Sequence, residues 1–175
     1  SREQLERLVA DTAVSSSGHP QLPPAALADL SAAAALRTQL TPPPAASSRA
    51  QLTLLLTGAS GFLGASVLRL LLRAAPAARL VCLVRGGLPR LREALLRLRL
   101  QLPPADWLRV DALHTPDVGR EMLGLDDVKL YSRLTRDVDA VIHCAAQVTW
   151  TLPYDTLRSS NVLPSFQLLR FCSSG

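Results

Sequence analysis

Residues 52–64 read LTLLLTGASGFLG, and this stretch decides the fold. An apolar run leads into a glycine-rich turn, and we expect the turn to lead into a helix that begins near Phe62. The glycines stand three residues apart, at positions 58, 61 and 64. In a dinucleotide-binding loop, the first glycine makes the tight turn, the second lets the backbone approach a pyrophosphate, and the third lets the helix pack closely on the strand. A glycine-rich turn that binds no ligand is the alternative.

The chain after this stretch alternates predicted strands and helices. Strands are predicted at 52–56, 80–84, within 107–113 and at 139–144, and helices at about 62–74, 90–101, 127–136 and 154–172. The first helix is expected to face inward with Leu63, Val67, Leu68, Leu71 and Leu72, and the second is expected to stop at Pro103 and Pro104. Strand 80–84 is apolar throughout, which is typical of a parallel strand covered on both faces. Such alternation predicts an α/β fold over residues 51–175, namely an NAD(P)-binding Rossmann-like, doubly wound parallel sheet. With about four strands the sheet is expected to be incomplete.

Residues 1–50 have a different composition. They contain six prolines, serine-rich and alanine-rich patches, and two segments (4–13 and 25–36) that could form short helices. Neither segment has a sustained apolar stripe that would support a core. We interpret residues 1–50 as a linker or approach segment before the domain.

Composition excludes several classes of function. The net charge is +5, but the positive residues are spread along the chain without interleaved aromatic residues, so no nucleic-acid partner is expected. No apolar run is long enough to cross a membrane, and the three histidines form no metal-ligand pattern. The three cysteines lack CxxC spacing and are expected to be reduced, mostly buried thiols in a cytoplasmic protein.

The end of the second strand bears on the choice of cofactor. The strand runs into Val84, Arg85 and two glycines, and no acidic residue follows before Glu93. NAD enzymes commonly have an acidic side chain here for the ribose 2′-hydroxyl, whereas an arginine accommodates the 2′-phosphate of NADP. Arg85 therefore predicts NADP, and Arg90 or Arg92 could supply a second contact. A solvated surface arginine is the alternative.

Several motifs together resemble one family. TGASGFLG (57–64) matches the TGxxGxxG signature of extended short-chain dehydrogenases/reductases. The segments LVR (83–85), PDV (116–118), LGL (123–125), VIHCAAQV (141–148) and PYDTLRSSNV (153–162) resemble elements of the thioester reductases within that group. These are the terminal reductase domains of nonribosomal peptide synthetases, carboxylic acid reductases and aminoadipate reductases.

The resemblance implies NADPH-dependent reduction of an acyl thioester held on a phosphopantetheine arm, with release of an aldehyde or alcohol. It implies an upstream acyl-phosphopantetheinyl carrier domain as partner. Asp117 would bond the adenine amine, Val118 would position the ring through its backbone, and Asn161 would be a structural or proton-relay residue. Cys144, Ala145 and Ala146 would lie beside the riboses of the cofactor. A loop or helix cap is the alternative for Asp117, and small packing residues are the alternative for Ala145 and Ala146. The expected cofactor-binding set is Thr57, Gly58, Ala59, Ser60, Gly61, Phe62, Leu63, Gly64, Arg85, Arg92, Asp117, Val118, Cys144, Ala145, Ala146 and Asn161.

The chain departs from the family pattern in two ways. Pro116 and Pro164 stand where the family usually has glycine, so altered loops and a kink near Pro164 are expected. The catalytic Tyr-x-x-x-Lys is absent, since the only lysine, Lys129, has no tyrosine four residues before it. We expect that dyad in a missing C-terminal half, which leaves this piece inactive alone. A sugar-nucleotide epimerase or dehydratase fragment and a non-catalytic NADP-binding module are the alternatives.

Overall fold

A computed structural model describes residues 22–39 and 51–174 of the chain. The described residues belong to two compact units that divide between positions 39 and 40. In the first unit, helix α1 spans Pro24–Gln39, longer than the helix predicted at 25–36. The possible helix at 4–13 lies outside the described residues.

The second unit alternates strands and helices from residue 53 onward. Its strands are β1 (Thr53–Thr57), β2 (Arg79–Val84), β3 (Val110–His114) and β4 (Ala140–His143). Its helices are α2 (Phe62–Ala74), α3 (Gly87–Arg97), the short α4 (Pro104–Trp107), α5 (Val128–Asp137), the short α6 (Tyr154–Leu157) and α7 (Leu163–Ser173). A 3₁₀ turn spans Glu121–Gly124 and a π-helical turn spans Arg158–Val162.

The four strands form one parallel sheet in the order β3-β2-β1-β4. Leu55 of β1 pairs with Val81 on one side and with Val141 on the other. The chain proceeds outward from β1 to β3 and then returns to β4 on the far side of β1. The strand order therefore reverses between β1 and β4, and crevices at such a point are where α/β sheets bind ligands.

Helices cover both faces of the sheet, which confirms the doubly wound prediction. Along β1, Leu54 and Leu56 point to the face packed by α2 and α3, whereas Leu55 points to the face packed by α5 and α7. All three leucines are buried. Side chains alternate between the faces of a strand, so a continuously apolar strand supplies two cores at once.

Helix α2 buries part of the face that the sequence predicts. Leu68 and Leu72 are buried, and Val67 and Leu71 pack against the same core. Leu63 is 61% exposed, so its predicted inward orientation was wrong. The small residues Gly64 and Ala65 occupy the buried side of the first turn instead.

Helix α3 ends before the prolines that were expected to stop it. Leu100 N–H donates to the carbonyl of Leu95 and Arg99 N–H donates to that of Leu96, while Arg99 has a φ of 55°. This is the pairing of a Schellman motif, in which a left-handed residue, usually glycine, closes the helix. Pro104 instead opens the short α4.

The single helix predicted at 154–172 is three segments. Helix α6, the π-helical turn and α7 follow one another, and Pro164 lies in the first turn of α7. Proline has no N–H for the bond to the preceding turn, so the expected distortion falls immediately before it. Of the helices in the described ranges, none is long and apolar enough for a membrane crossing.

Candidate functional site

A cleft of about 760 Å³ opens at the carboxyl ends of the strands, where the strand order reverses. The loops after all four strands contribute to it. Its lining comprises Gly58, Ser60, Gly61, Leu83, Val84, Arg85, Thr115, Pro116, Asp117, Val118, Cys144, Ala145, Ala146, Gln147, Ser159, Ser160 and Pro164.

Each of the three loop positions 58, 61 and 64 has a different structural reason to be glycine. Gly58 has a φ of 72°, and a Cβ there would lie 2.5 Å from the amide nitrogen of Ala145. A Cβ on Gly64 would overlap the carbonyl oxygen of Gly58, so this glycine lets α2 approach the loop. Gly61 has an ordinary backbone, and its nearest neighbour would be that same oxygen at 3.3 Å. Gly61 is exposed and lines the cleft, so its Cα is accessible to a ligand, while its own N–H donates to the Gly58 carbonyl at 2.9 Å.

The first turn of α2 begins beside this loop. Gly61 is the N-cap residue of α2 and supplies no side-chain hydrogen bond. The N–H groups at the start of a helix carry a partial positive charge and have no partner within the helix. A glycine-rich loop that leads into such a helix start is suited to a pyrophosphate.

The other predicted loop residues are distributed between core and surface. Thr57 and Ala59 are fully buried, whereas Phe62 is 80% exposed on the first turn of α2, as is Leu63 to a lesser degree. Ser60 joins Gly58 and Gly61 in the cleft lining, and Thr57 and Ala59 do not. The structure thus assigns the cleft surface to three residues of the TGASGFLG motif.

Arg85 carries the only positive charge among the described residues that line the cleft. Arg92 is not brought to the cleft, because its guanidinium lies 5.0 Å from the centre of the Trp107 ring, a cation–π contact. Arg90 pairs with Glu93 at 2.8 Å. Of the three arginines considered from the sequence, the structure places Arg85 at the site.

Asp117 and Val118 line the cleft on the β3 side. Asp117 Oδ1 accepts a hydrogen bond from Gly119 N–H at 2.8 Å, which fixes the carboxylate in the turn. Val118 also packs against the core beneath α5 and α7. Both predicted residues therefore lie in one loop that lines the same cleft as Arg85.

The LGL motif supports the Asp117 loop from below. Leu123 and Leu125 are buried in the core of that face, and the Thr115 hydroxyl donates to the Leu123 carbonyl at 2.7 Å. Gly124 has a φ of 69°, and a Cβ there would overlap the carbonyl oxygen of Asp117. The two leucines anchor the segment, and the glycine between them allows the close approach.

The loop after β4 contributes Cys144, Ala145 and Ala146 to the cleft. Burial raises the pKa of the Cys144 thiol, which favours the protonated form. Two small alanine side chains leave room for a flat or bulky ligand. All three predicted residues thus lie at the site.

Asn161 stands behind this loop and does not itself line the cleft. Its Oδ1 accepts from Gln147 N–H at 2.7 Å, and its Nδ2 donates to the Gln147 carbonyl at 3.0 Å. This pair of bonds ties the π-helical turn to the loop after β4. The structure therefore gives Asn161 a positioning contact, one of the two roles considered from the sequence.

The sequence did not identify Gln147, Ser160 and Pro164 as cleft residues, nor His114 as a residue that holds the turn beside the cleft. Gln147, Ser160 and Pro164 line the cleft, and His114 accepts a hydrogen bond from Gly86 N–H at 3.0 Å. Gln147 directly follows the predicted Ala145-Ala146 pair, a signal that could have found it. The others depend on contacts between distant parts of the chain.

Known proteins resemble this chain in sequence and fold. L-2-aminoadipate reductase large subunit of Penicillium chrysogenum is 41% identical over 129 residues, which cover 70% of this chain and 9% of that protein. The terminal R domain from the myxalamid PKS-NRPS biosynthetic pathway gives a TM-score of 0.65 at 32% identity, over 81% of this chain and 38% of that one. The PhqB reductase domain from Penicillium fellutanum gives 0.64 at 29%, over 84% and 39%.

The family assignment follows from the sequence match together with the fold. Residues 56–175, which include the glycine loop and all but the first residues of the sheet, match a single family model. The chain belongs to the NAD_binding_4 family, described as Male sterility protein.

Proposed function

We propose that this chain is the NADP-binding part of a reductase that acts on acyl thioesters carried on a phosphopantetheine arm. The observation that carries the cofactor assignment is the position of Arg85, the sole cation among the described cleft-lining residues, at the end of β2. A guanidinium at this strand end suits a 2′-phosphate, which it can bind with two parallel hydrogen bonds.

Among the described residues, the adenine, the 2′-phosphate, the pyrophosphate and the riboses would each have neighbours in the cleft. The pyrophosphate would lie against the Gly58–Gly61 loop and the first turn of α2, where a side chain at position 61 would intrude. Arg85 would bind the 2′-phosphate, and the second oxygen of Asp117 would accept from the adenine amine. Cys144, Ala145 and Ala146 would pass beside the riboses. When bound, NADPH supplies the hydride for reduction.

The substrate class rests on the similarity to reductases. The aminoadipate reductase and the myxalamid terminal R domain are both similar to this chain over most of its length. We therefore propose an upstream acyl-carrier domain as partner and a cytoplasmic location. The 175 residues contain no Tyr-x-x-x-Lys. These residues would therefore bind the cofactor, and a group outside them would transfer the proton.

The cofactor assignment is tested by titrating the protein with NADPH and with NADH. Arg85→Asp is expected to weaken NADPH binding at least about tenfold, because a charge-assisted pair is replaced by repulsion, and to leave NADH binding within about threefold. Arg97→Asp, at the other end of α3, is the matched charge control and should change neither. Equal weakening of both cofactors by Arg85→Asp would remove Arg85 from the site.

The reductase assignment has a separate test. NADPH oxidation is followed in the natural full-length protein with a panel of acyl phosphopantetheine thioesters. We expect consumption of NADPH that depends on the thioester and yields an aldehyde or alcohol. No oxidation with any acyl group would contradict the substrate class and would leave the binding test above unaffected.

A further inference from the structure

The turn that carries Arg85 is hydrogen-bonded to two consecutive residues at the carboxyl end of β3, His114 and Thr115. Val84, which precedes Arg85, accepts a hydrogen bond from Thr115 N–H at 3.3 Å. Gly86, which follows Arg85, donates its N–H to Nδ1 of His114 at 3.0 Å. The backbone of Arg85 is therefore fixed on both sides from β3.

The hydrogen bond from Gly86 N–H restrains a turn that consists largely of glycine. Gly86 has a φ of 86° and Gly87 has a φ of 61°, so two left-handed glycines join β2 to α3. Glycine visits many backbone conformations at little cost, and a turn of this composition is intrinsically loose. The His114 side chain supplies the contact that selects one conformation at Gly86.

The contact also defines the state of the imidazole. Because Gly86 N–H is the donor, Nδ1 of His114 must be unprotonated, and the neutral ring then carries its proton on Nε2. His114 does not line the cleft. Its effect on a ligand must therefore pass through the turn.

We propose that His114 is a positioning residue that sets the preference of this site for a 2′-phosphorylated adenosine by holding Arg85 in place. This inference rests on the proposed function, in which Arg85 binds the 2′-phosphate. A carboxylate or phosphate pairs well with a guanidinium only in a narrow range of geometries, so a freer turn weakens this contact and spares the rest of the nucleotide.

The test compares binding of 2′,5′-ADP and 5′-AMP, which differ only in the 2′-phosphate, by calorimetry. In His114→Ala we expect about a three- to tenfold loss of affinity for 2′,5′-ADP and an unchanged affinity for 5′-AMP. In His114→Asn the amide oxygen replaces Nδ1, and the preference should be retained. In His114→Gln the polar atoms lie near Nε2, and the preference should be lost as in His114→Ala. The Asn and Gln pair keeps the test valid if the alanine variant does not fold.

A double variant separates positioning from general stabilisation. In an Arg85→Ala background, where the preference is already gone, adding His114→Ala should change the binding ratio no further. An equal loss for both nucleotides, or equal behaviour of the Asn and Gln variants, would overturn the role of His114 alone. A wild-type protein without preference for 2′,5′-ADP would instead overturn the proposed NADP site and this inference with it.

Discussion

The Thr57 hydroxyl lies 2.6 Å from Nδ1 of His143, its register partner across the β1–β4 pair. Thr57 is fully buried and also accepts a hydrogen bond from Ala145 N–H at 3.3 Å. The hydroxyl can accept from Ala145 N–H and still share a hydrogen bond with Nδ1, and desolvation, which lowers the pKa of His143, favours its neutral ring. One hydroxyl therefore joins the start of the glycine loop to the loop after β4, at the point where the strand order reverses.

Thr57→Val tests this junction with little change in volume. The valine leaves Ala145 N–H and Nδ1 of His143 without their partner, and we expect a loss of about 1–3 kcal/mol in the free energy of unfolding. Urea denaturation provides the measurement. The exposed Thr156→Val is the matched control and should stay within about 0.5 kcal/mol of wild type. A Thr57→Val loss no larger than that of the control would contradict the junction.

His143 gives this junction a pH dependence. Desolvation lowers the pKa of His143 below its ordinary value of 6.5, so the unfolded chain binds this proton more readily than the folded one. Its contribution to stability is therefore complete above pH 6.5 and is lost as the pH falls through the folded-state pKa. Urea midpoints measured from about pH 7.5 to about pH 5 should fall more steeply in wild type than in His143→Asn. Parallel slopes would argue against a neutral His143.

Local sequence was sufficient for the sheet and for much of the cleft. The 3-3 glycine spacing predicts the loop because the strand, turn and helix start are contiguous in the chain, and Arg85 follows from its position at a strand end. The residues that hold the loops could not be predicted this way. His114 meets Gly86 across 28 positions and Asn161 meets Gln147 across 14, and these contacts depend on the register of β3 and on the π-helical turn.

Arg92 is a residue that the sequence placed in the site and that the structure places elsewhere. Its spacing from Arg85 was compatible with a second phosphate contact, but the helix turns its guanidinium onto Trp107. That ring comes from the short α4, which begins at the prolines expected to end the previous helix. Because Pro103 and Pro104 were expected only to stop the preceding helix, the sequence did not predict the short helix α4. Its Trp107, which binds the Arg92 guanidinium outside the cleft, was therefore not predicted either.

Two of the loop glycines, Gly61 and Gly64, are expected to differ in what a substitution costs. In Gly61→Ala the new Cβ lies 3.3 Å from the Gly58 carbonyl oxygen and the φ angle is ordinary, so the fold should persist. The added methyl should reduce dinucleotide affinity about tenfold or more, because it keeps the pyrophosphate away from the loop. Gly64→Ala forces Cβ into the Gly58 carbonyl and should cost several kcal/mol, on the order of the largest single-residue effects. Thermal melting and NADPH titration of both variants distinguish these results. A Gly64→Ala variant as stable as Gly61→Ala would contradict the packing described for α2.

Asn161 offers a prediction about how the cleft is kept in shape. Its amide makes one bond as acceptor and one as donor to the main chain of Gln147. Asn161→Asp keeps the acceptor but turns an anionic oxygen toward the Gln147 carbonyl, so it should weaken NADPH binding at least as much as Asn161→Ala, by about tenfold. A residue needed only for its size would show the reverse, since aspartate is nearly isosteric with asparagine. Ser173→Ala, which removes a hydroxyl that donates to the Arg170 carbonyl within α7 and lies outside the cleft lining, is the matched control and should change affinity less than about threefold. NADPH titration at constant ionic strength, with melting curves of each variant, separates loss of the loop geometry from loss of the fold.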